Sequence, residues 1–240
     1  MRINLYISSS GYCSRREADR LIQAGKVTIN GTLASIGSDV RPEDHVAIAG
    51  ERITHHPEWV YILYNKPQGI ITTTDRMIES NIIDAIQYPE RIFPVGRLDR
   101  DSSGLIMLTN NGAIVNRILR HENRHEKEYL VTLAKPIDDI ALRQMAEGVE
   151  IYNPKHHAYE KTEPCTIERI GPKKIKVILT QGLNLQIRRM ARALGNRVEA
   201  LMRVRLMNFT LGSLKSGEWR HLNQKEVELL PQLLTRTREL

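Results

Sequence analysis

Leu105, Ile106, Met107 and Leu108 form an unbroken apolar run with no room for a polar face. A run of that length, entered through Gly104, fits a strand buried on both sides. Phe93 and Val95 bring an apolar strand in from the other direction. Between the two strands, Gly96 and Gly104 bracket a loop carrying Arg97, Asp99, Arg100, Asp101, Ser102 and Ser103. A buried framework that presents a short, charged loop is how folds commonly expose reactive groups. A merely solvated connection has the same composition, so on these residues alone both readings stand.

The rest of the chain narrows them. Its 240 residues allow one large domain or two modest ones, and 41% hydrophobic content supports a packed core. Lys and Arg number 35 against 28 Asp and Glu, a net charge of +7 that favours a polyanionic partner. No apolar run approaches membrane-spanning length, and Met1-Arg2-Ile3-Asn4 opens no secretory signal. Cys13 and Cys165 are too few for a zinc cluster or a disulfide scaffold. A cytoplasmic monomer without membrane association is the expectation.

Near the N-terminus, Ser14 and Glu17 have capping-box spacing, so a helix should start at Arg15. Ala18, Leu21 and Ile22 give it an apolar face and Gly25 ends it. Val27 to Asn30 reads as a strand, and Asn30-Gly31 is a strong hairpin signal. Arg15, Arg16, Arg20 and Lys26 then form a basic edge on this small module, either a contact for a polyanion or a solvated face. After Ile53 the periodicity is lost through Thr54-His55-His56-Pro57-Glu58, which places a linker there. The expected domains are 1–54 and 58–240.

In the second domain, Trp59 to Tyr64 and Ile70 to Thr74 read as strands separated by the turn Asn65-Lys66-Pro67-Gln68-Gly69. Lys66 is read as part of that turn. A short helix follows Gly112, and Ile140 to Glu147 reads as another, followed by an irregular polar stretch to Lys161. Cys165 to Ile170 and Lys174 to Thr180 look like paired strands. Asn184 is placed to cap a helix whose Ile187, Met190, Ala191 and Leu194 make one apolar face, with Arg188, Arg189 and Arg192 on the other.

His121-Glu122-Asn123-Arg124-His125 matches the His-Glu-x-x-His pattern of zinc peptidases. Its context argues against a metal site, because β-prone Tyr129-Leu130-Val131 follows almost at once and leaves little helix to hold two histidines one turn apart.

The motifs, in order, resemble those of pseudouridine synthases that carry an N-terminal S4 RNA-binding domain and modify single uridines in ribosomal RNA. Ile7 to Ala18 with Gly25 to Gly31 resembles the S4 module. Gly96-Arg97-Leu98-Asp99 with Asp101-Ser102-Ser103-Gly104-Leu105 resembles the catalytic-aspartate signature. Asn65-Lys66-Pro67-Gln68-Gly69, Lys127-Glu128-Tyr129 and Gly182 to Met190 resemble further motifs of the family.

The resemblance implies an α+β fold, with a small S4 domain before a catalytic domain built on a mixed, largely antiparallel sheet flanked by helices. It implies isomerisation of a specific uridine in large-subunit ribosomal RNA, with transfer RNA as a further substrate. The partner is structured RNA, and no metal or organic cofactor is implied. Asp99 becomes the essential catalytic residue. Tyr129 stacks on the extruded base, and Arg188 pairs with Asp99. Arg97, Lys127 and Leu201 are expected at the substrate. Arg189 and Arg192 join Arg15, Arg16, Arg20 and Lys26 as RNA contacts. Leu185 departs from the pattern, since relatives often carry a basic residue there.

The reaction breaks the N1–C1′ bond, turns the base and rejoins it through C5. Asp99 would either attack C1′ or remove the C2′ proton, and the sequence leaves both open. Glycoside hydrolysis ordinarily uses two carboxylates across the bond. Asp101 lies only two residues from Asp99, which weighs slightly toward isomerisation. A noncatalytic RNA-binding assembly factor and a zinc hydrolase are the competing classes.

Overall fold

The computed structural model describes residues 1–54, 58–120, 124–154 and 156–235. Part of the expected linker, and the first three residues of the His-Glu-x-x-His run, lie outside them. The chain divides into two compact units. One is Met1–Val60 with Thr109–Ala113, and the other is Tyr61–Leu108 with Ile114–Leu240.

The first unit packs two helices on a small antiparallel sheet. Helix α1 spans Ile3–Ser9 and α2 spans Arg15–Gln23. Strands β1 (Val27–Ile29), β2 (Thr32–Leu33), β3 (Val46–Ile48) and β4 (Glu51–Arg52) follow, in the spatial order β2-β1-β3-β4. The Ser14 hydroxyl accepts from the Glu17 N–H at the start of α2, the expected cap. Asn30 and Gly31 both have positive φ, 51° and 82°, as the tight β1–β2 turn demands. Ile3 and Ile7 of α1 and Ala18 and Ile22 of α2 close over Val27, Val46 and Ile48. The sequence reading missed α1, β3 and β4, whose few apolar residues find their partners only in this core.

The second unit is built on a nine-stranded sheet among the described residues. Strand β5 (Tyr61–Lys66) comes first, then helix α3 (Ile82–Ile86), β6 (Phe93–Val95), β7 (Ser103–Thr109) and helix α4 (Gly112–Leu119). Strand β8 (Lys127–Leu133), helix α5 (Asp139–Glu147) and the hairpin β9 (Glu150–Asn153) and β10 (Ala158–Lys161) come next. The chain continues through β11 (Thr166–Gly171), β12 (Lys174–Leu179), helix α6 (Gln186–Ala193), β13 (Val198–Leu206), β14 (Phe209–Thr210), β15 (Trp219–His221) and helix α7 (Gln224–Thr235).

The main sheet runs β11-β12-β8-β13-β7-β5-β15, with β14 on β13 and β6 on β7. Its β13–β7 pair is parallel, whereas β11–β12, β12–β8, β8–β13 and β5–β15 are antiparallel. The sheet is thus mixed and largely antiparallel. Strand β7 lies inside it, between β13 and β5, and Leu105 to Leu108 are all fully buried, as the unbroken run requires.

Three sequence expectations change. Ile70 to Thr74 is no strand: it makes a single bridge, Ile71 to Asn81, and its Thr72 hydroxyl serves the loop described below. The stretch after α5 is not irregular but forms the β9–β10 hairpin, separate from the main sheet. Its single buried apolar residue, Ile151, gave no alternation to read. Asn184 does not cap α6. Leu185 occupies the cap position with φ 52°, and the Gln186 side chain accepts from the Leu183 N–H at 3.0 Å. Asn184 Oδ1 is taken instead by Arg189, at 2.7 Å.

Candidate active site

The loop from Gly96 to Ser102 joins β6 to β7 and places Asp99 at its tip. Both bracketing glycines are fixed by space as well as by dihedral angle. Gly104 has φ +101°, and a Cβ there would collide with the backbone of Arg203 on the neighbouring strand. Gly96 has φ +78°, and its Cβ would meet the Leu119 side chain at 2.8 Å. Gly104 therefore lets β7 and β13 approach closely, and Gly96 leaves room for Leu119.

The loop is held from several directions. Leu98 and Ser102 are buried on either side of Asp99, which is itself half-exposed. The Ser102 N–H closes a turn on the Asp99 carbonyl at 3.0 Å. The Gly69 N–H donates to the Arg100 carbonyl at 2.8 Å. The Thr72 hydroxyl donates to the Leu98 carbonyl at 2.6 Å and accepts from the Leu98 N–H at 3.3 Å. The Asp99 carboxylate makes no hydrogen bond or ion pair among the described residues, which leaves both oxygens open to a substrate.

Arg188, on α6, reaches this loop but not in the expected way. Its Nη2 donates to the Asp101 carbonyl at 2.8 Å and to Ser102 Oγ at 3.5 Å, and its Nη1 donates to the Val198 carbonyl at 3.3 Å. No ion pair with Asp99 is formed. The guanidinium braces the backbone two residues further on, and its Nε is buried without a partner.

The floor of the site comes from β8 and β13. Their register pairs Leu201 with Val131 and Arg203 with Tyr129. Directly opposed residues share a face of the sheet, so Leu201, Arg203, Tyr129 and, two residues along, Lys127 stand together. That face is covered: Leu201, Arg203 and Tyr129 are 7%, 4% and 9% exposed, whereas Met202 and Leu130 on the other face are 37% and 38% exposed. Arg203 pairs on its other side with Gly104, at the start of β7. One row across the sheet therefore links Tyr129 to the strand that carries the Asp99 loop.

This arrangement sets buried and half-buried cations along the strands that flank the loop. Lys66, at the end of β5, is completely buried, and its Nζ donates to the carbonyls of Pro67 and Ile70 at 2.9 and 2.8 Å. Burial lowers its pKa to about 8, against the opposing pull of the Asp99 and Asp101 carboxylates. Arg203 donates from Nε to the Leu105 carbonyl at 2.7 Å, while its Nη2 is buried without a partner. Lys127 is also held near 8 by burial and by the neighbouring Arg203, and its Nζ donates to the carbonyls of Thr180 and His125 at 2.8 and 3.3 Å. Its ammonium is thus engaged by backbone rather than turned outward for a substrate.

Sequence reading left Lys66 to a turn and passed over Arg203 and Thr72. For Arg203 the signal was its place two residues from Leu201 on a period-two strand. Arg97 and Arg192 are exposed. Arg189 is half-exposed and ties α6 to the hairpin through the Tyr152 carbonyl. In the first unit, Arg15, Arg16, Arg20 and Lys26 are all exposed, and Arg20 pairs with Glu17 at 3.1 Å. His125 precedes β8 outside any helix, burial lowers its pKa, and its Nε2 has no partner. Among the described residues no group of three or more potential metal ligands is found.

A basic helix–hairpin module, and a sheet that presents one clamped aspartate beside buried cations, fit an enzyme that acts on RNA. The comparisons with known proteins agree with that class. The S4 domain pattern matches residues 1–54, and the RNA pseudouridylate synthase pattern matches residues 60–193. The chain belongs to the S4-domain-containing RNA pseudouridine synthase family.

The dual-specificity RNA pseudouridine synthase RluF of Escherichia coli O6:H1 is 47% identical over 229 residues, covering 95% of this chain and 77% of the relative. The ribosomal small subunit pseudouridine synthase A of Salmonella typhimurium is 33% identical over 231 residues, covering 95% and 98%. A solved pseudouridylate synthase superposes with a TM-score of 0.69 at 32% identity, covering 96% of this chain and 99% of that one. The protein is an RNA pseudouridine synthase, an isomerase acting on RNA. Among the described residues no helix is long and apolar enough to cross a membrane.

Proposed function

We propose that this enzyme isomerises a specific uridine of large-subunit ribosomal RNA, with transfer RNA as a second substrate, and that it acts as a monomer in the cytoplasm. The observation that carries the catalytic part is Asp99: an unpartnered, half-exposed carboxylate on a loop held by Thr72, Gly69 and Arg188. In this reading Asp99 acts at the ribose, either on C1′ or on the C2′ proton. The buried Lys66 ammonium lies close enough to feel the Asp99 and Asp101 carboxylates and adds positive charge beside the loop. Tyr129 stacks on the base once it is flipped from the RNA, against the wall made by Leu201. Arg188 braces the loop through the Asp101 carbonyl and the Ser102 hydroxyl. Arg97 and Lys127 contribute positive charge at the substrate.

Residues 1–54 bind structured RNA through Arg15, Arg16, Arg20 and Lys26, and residues 58–240 are catalytic, with Arg189 and Arg192 extending the RNA contact. The choice of substrate is supported by the greater identity to the dual-specificity relative, 47%, than to the small-subunit one, 33%. The test is to map pseudouridines in total RNA from cells with and without the gene. A site lost from large-subunit RNA, and restored by wild-type protein but not by Asp99→Asn, is expected. Loss confined to small-subunit RNA would overturn the substrate assignment and leave the chemistry standing.

A further inference from the structure

The segment after β5 has no assigned role in the reaction, yet it makes the tightest contact with the residue beside Asp99. Thr72 is 5% exposed, and Leu98, against which it lies, is also 5% exposed. A hydroxyl carries one donor and can accept as well. Here it uses both, donating to the Leu98 carbonyl at 2.6 Å and accepting from the Leu98 N–H at 3.3 Å. It therefore satisfies the whole backbone of the residue that precedes Asp99, where neither a strand ladder nor a helix does so.

Thr72 is in turn fixed. Ile71 donates its N–H to the Ser80 carbonyl at 2.8 Å and accepts from the Ile82 N–H at 2.9 Å. These bonds attach the segment to the N-terminus of α3, which Asn81 caps. On the other side, the buried Lys66 ammonium gathers the Pro67 and Ile70 carbonyls. Gly69, between them, holds the Arg100 carbonyl, so the chain around Asp99 is gripped at positions 98 and 100.

We infer that Thr72 is a positioning residue for the reaction: its hydroxyl sets the backbone at Leu98 and thereby aims the Asp99 carboxylate. The inference rests on the assignment of Asp99 as the catalytic carboxylate. It also fits the absence of a strand at Ile70 to Thr74, because a ladder would take up the Ile71 backbone groups now bonded to Ser80 and Ile82.

Valine replaces threonine with nearly the same shape but neither donates nor accepts, while serine keeps the hydroxyl. In Thr72→Val the single-turnover rate at saturating RNA should fall about 10²-fold, the cost of a misplaced reacting group. RNA affinity should be nearly unchanged, and Thr72→Ser should recover most of the rate. Amide exchange at Leu98, followed by NMR or by mass spectrometry of the loop peptide, should accelerate in Thr72→Val and remain slow in Thr72→Ser. A wild-type rate in Thr72→Val, a serine variant as slow as the valine one, or unchanged Leu98 exchange in Thr72→Val would each overturn the inference. Asp99→Asn, measured alongside, separates the two assignments. If it turns over normally, Asp99 is not the catalytic carboxylate; if it is inactive while Thr72→Val is normal, only the positioning role is lost.

Discussion

The two units use basic residues in opposite ways. In the first, Arg15, Arg16, Arg20 and Lys26 are exposed on and just beyond one helix, where salt screens them and water solvates them. In the second, Lys66 and Arg203 are 0% and 4% exposed, and burial has lowered the pKa of both Lys66 and Lys127 to about 8. An exposed cation can attract a phosphate backbone but cannot hold a reacting group in place. A buried one has lost its hydration, so it interacts strongly with any nearby carboxylate or carbonyl. The first arrangement suits capture of RNA, and the second suits a fixed field around Asp99.

The contrast breaks most sharply at Asp99. Asp99→Asn should lower single-turnover rate by at least ~10³-fold, because an amide neither attacks C1′ nor takes up a proton. Filter binding should show RNA affinity close to wild type. Near-normal turnover in this variant would return the protein to the class of RNA-binding assembly factors.

Arg188 comes next. Arg188→Ala removes the bonds to the Asp101 carbonyl and the Ser102 hydroxyl, and a loop released by that much should slow turnover about 10²-fold. Lysine lacks the planar fork, so Arg188→Lys should also be slow. With the guanidinium on the backbone and not on the Asp99 carboxylate, the acid limb of the pH–rate profile should stay in place. A limb displaced to higher pH in Arg188→Ala would show that the two groups pair once RNA is bound.

On the exposed face the effect should be smaller and sensitive to salt. Arg16→Ala and Arg20→Ala should weaken RNA binding, and each should lower the dependence of log Kd on log salt by roughly one unit for a phosphate no longer neutralised. Single-turnover rate at saturation should hold. Arg20 already pairs with Glu17, so its variant should show the weaker effect. An unaltered slope for both would mean that this face is merely solvated.

The smallest expected effect concerns Lys127 and stability. Its pKa falls from 10.5 to about 8 on folding, so between those values the unfolded chain binds more protons than the native one. Its contribution to stability is fully present above 10.5 and is lost as the pH falls through about 8. Urea unfolding at closely spaced pH values in that window should show wild type gaining stability with pH relative to Lys127→Met. Parallel curves for the two proteins would place Lys127 in a more hydrated setting than the structure gives it.

Local patterns carried the reading wherever neighbouring residues sufficed. The Ser14–Glu17 cap, the Asn30-Gly31 turn, the apolar β7 run and the apolar face of α6 were legible because each is set by bonds and packing within a few residues. The loop that bears Asp99 was found the same way, through its glycines and charges. What could not be read depended on distant partners. Lys66 looked like a turn residue because nothing near it in sequence shows that β5 ends inside the fold. The role of Thr72 requires Leu98, and the burial of Arg203 requires the parallel pairing of β13 with β7. Arg188 was expected on the Asp99 carboxylate and lies on the Asp101 carbonyl. Sequence supplied the groups within this loop, but which atom a long side chain from α6 reaches is decided by the packing of helix on sheet. The short-range pattern thus determined many of the elements and the loop that carries Asp99, while the tertiary structure decided which cations are buried near that loop and which bonds hold it.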